Sequence, residues 1–517
     1  MHLPPAIVRL LPWLLAVFGG VLFGLGYPDQ ELWLPAWFCF VPLLFALRDV
    51  TSWKRALALS WAMGLGAHLY VYPWLIRMFR EFAHLPLPLA LLGYLLLSVA
   101  QAGSVAACGF GAWALARRTP LSLGAALPIG VVAGEMLYPL LFQSYLANTQ
   151  AGLPLVTQIA DLGGAVMVSG LIGLVNGGIF ELVARRRVRL FAGAVAALVA
   201  AVVYGQVRIG QMEALEAEAP RLKTAIVQAN VGAGDKHRRA SEGIQRYRRM
   251  TDEAMRIPDI GLVVWPESGL NRAVPAGTEN IGSMVASRVK TPMIVGALRV
   301  ELGERRRVWN TALALEPGGR IIGHYDKIEL LAFGEYVPGA ELFPKIYDWL
   351  PYSSQFERGT VRDPLPVGPY RLATNICYED ILPRLVRSLM NPIDEAGTRP
   401  HALVNLTNDS WYGPSEPPIH LALATFRSIE HRRWMIRSTS TGISAFIDSA
   451  GRIVKRSGYE TAEILVHDVP MIAAGPTVYG RVGDLFGWLT TAAAIALLAV
   501  GPRLARREEM QGEREAA

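Results

Sequence analysis

The run Tyr370-Arg371-Leu372-Ala373-Thr374-Asn375-Ile376-Cys377-Tyr378-Glu379-Asp380 decides the fold. It opens as a largely apolar strand and ends in a thiol followed by two carboxyl groups, and layered α/β domains place their reacting groups just past strand ends. Two other stretches complete the chemistry. Gly261-Leu262-Val263-Val264-Trp265 runs into Pro266-Glu267-Ser268, and Tyr325-Asp326-Lys327-Ile328-Glu329 supplies an ammonium. A thiol whose pKa is about 8.5 is mostly protonated at neutral pH, so a nucleophilic cysteine needs a base or a cation beside it. Glu267 can take the proton, and Lys327 can stabilise the thiolate or an oxyanion.

Around these residues the block 221–472 alternates strands and helices. Strands are predicted at 224–228, 261–265, 293–297, 370–374 and 402–406. Helices are predicted at 240–257, 279–290, 381–391 and 419–434, with Pro317-Gly318-Gly319 and Ser449-Ala450-Gly451 as hairpin turns. Apolar strands separated by amphipathic helices imply sheets covered by helices. Of the three cysteines, Cys39 and Cys108 fall in apolar runs as small buried residues. Cys377 is left without an intrablock disulfide partner.

Outside the block the chain is that of a membrane protein: 52% of its residues are hydrophobic and 18% charged. Apolar runs near 9–27, 31–47, 56–76, 88–116, 121–141, 159–184, 188–208 and 483–502 approach the roughly 17 to 25 residues that cross a bilayer. The expected organisation is a helical bundle over 1–210, the catalytic block 221–472, one further span over 480–502 and a cytoplasmic tail over 503–517. Arg48, Lys54 and Arg55, then Arg117 and Arg118, then Arg185, Arg186, Arg187 and Arg189 occupy alternate loops and mark one side as cytoplasmic. The block after the seventh run then lies outside, on the periplasmic side of a bacterial inner membrane. Arg77 and Arg80 run against this count, and an outer-leaflet phosphate is one reason for them. The formal charge of +7 is mostly topogenic, which argues against nucleic-acid binding. Glu135 and Asp161 are the clearest acidic residues in the apolar runs, placed near their ends. The scattered histidines offer no metal-ligand spacing, and no phosphate loop is present; no metal and no cofactor are expected.

Trp265-Pro266-Glu267-Ser268, Tyr325-Asp326-Lys327 with Phe333-Gly334-Glu335-Tyr336-Val337-Pro338, and Ile376-Cys377-Tyr378-Glu379 resemble the three signatures of the nitrilase, or carbon-nitrogen hydrolase, superfamily. Such a block between membrane runs resembles the superfamily's membrane-embedded branch, the apolipoprotein N-acyltransferases. Asn408 through Gly413 and the later His420, Arg427, Glu430 and Arg437 are similar to that branch's closing segment. The resemblance implies an αββα nitrilase-like domain joined to a multi-pass helical membrane domain. It implies Glu267 as general base, Lys327 as oxyanion-stabilising cation and Cys377 as nucleophile, with Glu335 and Glu379 in support. It implies a phospholipid acyl donor, expected to be phosphatidylethanolamine, a thioester on Cys377, and the amine of a diacylglyceryl apolipoprotein as acceptor. A monomer is the expectation, with the oligomeric state left open. Leu331-Ala332 and Ser438-Thr439-Ser440-Thr441-Gly442 depart from the family pattern without touching the triad.

Two other classes remain open to the residues: a membrane-tethered amidase hydrolysing a small carbon-nitrogen substrate, and a scaffold or transporter whose outer domain has lost catalysis. Between Lys327 and Cys377 the chain carries Phe343, Ile346, Tyr347, Trp349, Leu350, Tyr352 and Phe356, an aromatic loading suited to a bilayer interface. We take this as an arm entering the outer leaflet, and Trp411 through Pro418 as a second lid. Replacing Trp349 and Tyr352 by Ala is expected to lower both phospholipid turnover and membrane association. Unchanged values for both would remove the arm.

Overall fold

The computed structural model describes residues 5–28, 32–81, 83–232, 240–303, 305–340, 342–343, 345–349, 354–393, 397–410 and 412–516. The chain divides into two compact units. The first comprises Met1–Ile76, Pro86–Ile209 and Arg481–Ala517, and the second comprises Arg77–Leu85 and Gly210–Gly480.

The first unit is helical. Among the described residues, three helices are long and apolar enough to cross a membrane: Leu87–Arg118, Ala165–Arg185 and Val188–Glu218. Shorter apolar helical stretches cover Arg9–Leu25, Leu34–Leu47, Leu123–Leu137 and Leu485–Gly501. The run 31–47 is broken into a 3₁₀ turn, Leu34–Trp37, and the helix Phe40–Leu47. The run 56–76 becomes Trp53–Val71 and Trp74–Glu81, interrupted at Pro73, which cannot donate into a helical ladder. Helix packing here depends on small residues. A Cβ added at Gly177 would lie 2.0 Å from the carbonyl oxygen of Gly124, so only glycine allows that approach. Asp161 is buried and paired, accepting from Tyr204 Oη at 2.7 Å and Arg208 Nε at 3.0 Å.

Among the described residues the second unit carries thirteen strands: β1 (Arg221–Gln228), β2 (Leu262–Val264), β3 (Leu270–Pro275), β4 (Met293–Glu301), β5 (Arg307–Leu315), β6 (Ile321–Asp326), β7 (Leu365–Val367), β8 (Tyr370–Ile376), β9 (Ala402–Thr407), β10 (Met435–Thr439), β11 (Ala445–Ile447), β12 (Ile453–Arg456) and β13 (Glu463–Pro470). One sheet runs β13-β1-β2-β4-β5-β6, with β3 beside β4, and the other runs β12-β11-β10-β9-β8-β7. The centres are parallel (β1/β2/β4 and β8/β9/β10), β3 also runs parallel to β4, and the remaining outer pairings are antiparallel. Central strands buried on both faces read as continuous apolar runs, as β2 and β9 do. Ile226, Val264 and Ile294 of the first sheet share one apolar core with Leu372, Val404, Ile436 and Phe446 of the second. A separate core joins the first sheet to Tyr247 and Met250 of the helix Ala240–Ala254. Pro383–Met390 and Glu416–His431 accompany the second sheet, giving the helix-sheet-sheet-helix layering of nitrilases.

All five predicted strands are present, and both predicted turns join antiparallel pairs, β5/β6 and β11/β12. The helix predicted over 279–290 is reduced to Gly282–Val285. Its apolar residues Ile281, Val285 and Val289 are buried without continuing a helix. The helix predicted to 434 ends at His431, where Arg432 turns left-handed (φ +52°) and Met435 enters β10.

One close approach sets the position of the Trp-Pro-Glu loop: a Cβ at Gly296 would lie 2.2 Å from the Pro266 carbonyl oxygen and 2.8 Å from Glu267 Cα. Gly296→Ala is expected to destabilise the protein by about 1 to 3 kcal/mol through overpacking. A thermal inactivation midpoint equal to wild type would contradict this account of the loop.

Candidate active site

Glu267 follows β2, Lys327 follows β6 and Cys377 follows β8. β6 is antiparallel to β5, which is antiparallel to β4, and β4 is parallel to β2, so β2 and β6 end on the same edge of the first sheet. Two turn residues there adopt left-handed conformations, Ser268 (φ +52°) and Cys377 (φ +54°), each costing on the order of 1 kcal/mol or more. Cys377 opens a 3₁₀ turn, Cys377–Ile381, that lifts the thiol off the strand end.

The side chains converge in a buried cluster. Lys327 is 1% exposed, Cys377 7% and Glu267 8%. Lys327 Nζ lies 2.8 Å from both carboxylate oxygens of Glu335 and 3.9 Å from Glu267 Oε1. Burial alone would lower the ammonium's pKa, but the charges of Glu335 and Glu267 outweigh it and hold Lys327 protonated. Burial pushes the Cys377 thiol well above its ordinary range; Glu267 adds to the rise and Lys327 opposes it. The resting thiol is therefore neutral.

Asn310 on β5 links the two acids. Its Nδ2 donates to Glu267 Oε1 at 2.6 Å and to Glu335 Oε1 at 3.1 Å. The Leu331 N–H donates to Glu335 Oε2 at 2.8 Å, so the segment that departs from the family pattern holds this carboxylate. Asn310 escaped the sequence reading. The available signal was a polar pair, Asn310-Thr311, inside the otherwise apolar run 308–315.

Glu379 works as a clamp. Its carboxylate accepts from the N–H groups of Ile376, Ile328 and Glu329 at 2.7, 2.7 and 2.9 Å and from Tyr325 Oη at 2.9 Å. It thereby ties the strand end before the thiol to the loop after Lys327. Burial pushes its pKa up to about 7, against the pull of Lys327 and of its donors.

Beneath the thiol lies a second buried network. Asn405 Nδ2 donates to the Cys377 carbonyl at 3.1 Å and to Asn375 Oδ1 at 2.7 Å, and Asn405 Oδ1 accepts from Arg437 at 2.8 Å. Arg437 also pairs with Asp380 and, at 3.3 Å, with Asp409. His420 bridges the same two acids, Nε2 to Asp380 at 2.8 Å and Nδ1 to Asp409 at 3.2 Å. Burial and Arg437 oppose a charge on His420, but Asp380 and Asp409 prevail and raise its pKa to about 10. Donor atoms of Asp409, Glu416 and His420 come within 4.8 Å of one another, a grouping the sequence spacing did not reveal. Burial and Asp409 push the Glu416 pKa up to about 8, so Arg437 and a protonated His420 already balance Asp380 and Asp409.

The Ser438–Gly442 segment lies closer to the triad than its sequence position suggested, since Ser440 Oγ donates to the Glu267 carbonyl at 3.4 Å. Phe343 is 68% exposed, next to Leu342 at 80%, and Phe333 is 55% exposed. Leu350, Tyr352, Trp411 and the Trp349 side chain lie outside the described residues. Tyr412 and Gly413 are buried, and the helix beginning at Glu416 takes up the rest of the segment assigned to a second lid.

A base, a cation and a thiol at three strand ends of an αββα sandwich define the carbon-nitrogen hydrolase class. Residues 223–478 match the family model Carbon-nitrogen hydrolase, and residues 19–178 match the Apolipoprotein N-acyltransferase N-terminal domain. The apolipoprotein N-acyltransferase of Geobacter metallireducens is 31% identical, over 95% of each chain. That of Azotobacter vinelandii is 31% identical over 96% of this chain and 95% of its own. That of Gloeobacter violaceus is 30% identical over 94% of each. A carbon-nitrogen hydrolase from Helicobacter pylori G27 aligns at TM-score 0.35 and 13% identity, covering 48% of this chain and 89% of its own. The chain belongs to the apolipoprotein N-acyltransferase family.

A thiol held neutral by burial has a distinct reactivity. Its raised pKa means that the thiolate fraction keeps growing with pH beyond the ordinary value of 9.0. Alkylation of Cys377 by iodoacetamide, read by peptide mapping, is expected to be slow at pH 7 and still rising past pH 9. A plateau below pH 8 would contradict the neutral thiol.

Proposed function

We propose that the chain transfers a fatty acyl group from a phospholipid to the amino terminus of a diacylglyceryl apolipoprotein, through a thioester on Cys377. The observation that carries the reading is the buried Glu267, Lys327 and Cys377 cluster in a chain of this family. In the first half-reaction Glu267 takes the thiol proton as Sγ attacks the ester carbonyl. Lys327 faces the oxyanion of the tetrahedral intermediate, a donor role whose loss typically costs on the order of 100-fold or more. The acyl C–O bond then breaks, the departing alkoxide takes the proton from Glu267, and lysophospholipid leaves.

In the second half-reaction the acceptor's α-amine attacks the thioester and gives its proton to Glu267. The C–S bond breaks, and the thiolate takes the proton back. Asn310 keeps Glu267 and Glu335 in register, and Glu379 keeps the Lys327 loop against the nucleophile strand. Water competes with the amine, so a site facing lipid favours aminolysis. Phosphatidylethanolamine as donor fits the expected bacterial inner membrane, as does a catalytic unit on the periplasmic face of a multi-pass protein. The apolar helices and the alternation of basic loops support that placement. The exposed Phe333, Leu342 and Phe343 suit contact with the outer leaflet.

Intact-mass measurement after incubation with phosphatidylethanolamine tests the thioester. A fatty-acyl mass addition is expected on the wild type and none on Cys377→Ala, with Glu267→Gln slowing its appearance by about 10² to 10⁴. Turnover without any adduct on the wild type, under conditions that trap the intermediate, would sink the ping-pong scheme. Release of free fatty acid unaffected by an amine acceptor would favour the amidase-like hydrolase instead.

A further inference from the structure

We infer that the helical unit carries a second binding site, for a phosphate-bearing anion, in a cavity lined by Arg48, Arg117, Arg185 and Arg187. The cavity measures about 270 Å³, and Trp113, Ser122 and leucine side chains complete its wall. This is just under the roughly 300 to 1,000 Å³ of drug-sized sites, room for a phosphate with a small headgroup. The four guanidinium groups come from three separate connections in the chain, and among the described residues no carboxylate lines the space.

The nearby acids do not cancel this charge. Asp49 pairs with Arg48 at 2.8 Å on the exposed side. Glu181 is fully buried, accepts from the Gly124 N–H at 3.2 Å, and stands 4.0 Å from Arg187. Among the described residues, four cations against two anions leave a local excess of two positive charges. Arg117 is already positioned: it donates to the Val50 carbonyl at 2.6 Å, which also accepts from Trp113 Nε1 at 2.8 Å. The helix Leu123–Leu137 starts at the wall of the cavity, and its amino end adds partial positive charge.

Topogenic charge accounts for basic residues in these loops, but orientation depends on their number and not on their convergence. A predominantly polar recess with planar guanidinium forks is the arrangement that takes a phosphate monoester or diester. Basic recesses between membrane helices bind lipid headgroups in this way. The shared chemistry is a phosphate anion, either on an anionic phospholipid or free in solution. The proposal rests on the helical unit alone and stands or falls independently of the thioester.

The test uses the full chain in detergent, with native mass spectrometry and three probes: dimyristoyl phosphatidylglycerol, dimyristoyl phosphatidylcholine and inorganic phosphate. Arg48→Lys with Arg187→Lys retains charge and topology while losing the guanidinium fork, and Arg48→Gln with Arg187→Gln removes the charge. Saturable binding of phosphatidylglycerol over phosphatidylcholine is expected, weakened on the order of tenfold in the lysine pair and further in the glutamine pair. Competition by inorganic phosphate assigns the site to phosphate in general, and its failure to compete assigns it to the lipid headgroup; both support the proposal. No preference for phosphatidylglycerol together with no phosphate binding overturns it, as does a preference unchanged in both variant pairs.

Discussion

A buried ammonium cannot stand alone, and the catalytic unit is arranged around that constraint. Lys327, 1% exposed, requires anionic partners close by, because an isolated charge in a low-dielectric interior costs several kcal/mol. Glu335 supplies the close pair and Glu267 the longer one, and Asn310 fixes the two acids relative to each other. The same ion cluster that makes the ammonium tolerable leaves a carboxylate beside the thiol. Stability and chemistry thus draw on one set of contacts.

The thiol is governed by the opposite consequence of burial. Desolvation keeps Cys377 neutral, and a neutral thiol is protected from adventitious oxidation and alkylation until a base takes its proton. Its left-handed backbone is held from below by Asn405, Arg437, Asp380 and His420. Removing one member of such a network leaves an unpaired charge in the interior, so these residues resist replacement although none belongs to the triad. Glu379 joins the two halves by clamping the Lys327 loop to the nucleophile strand. The thiol and the ammonium therefore keep their spacing.

Much of this was legible in the chain. The strands at Leu262–Val264, Tyr370–Ile376 and Ala402–Thr407 were readable because central strands buried on both faces are continuous apolar runs. Marginal strands such as β3 and β13 were not, since their solvent-facing residues dilute the pattern. The helix predicted over 279–290 failed because burial of Ile281, Val285 and Val289 requires only contact with the sheet and not helical continuity. Asn310 was silent because a lone amide in an apolar strand has no motif; its role exists only when two acids from distant segments meet it.

Reactive groups follow strands, so local sequence by itself determined which residues stand at strand ends: a carboxylate after Val264, an ammonium after Asp326 and a thiol after Ile376. Only the tertiary structure decided their electrostatic state and their supports. Proton affinity depends on desolvation and on hydrogen bonds and charges brought together across 43 to 57 residues of chain, as in the Asn310–Glu267 and Arg437–Asp380 contacts. Those distances belong to strand ends set side by side in a folded sheet and not to any contiguous run of residues.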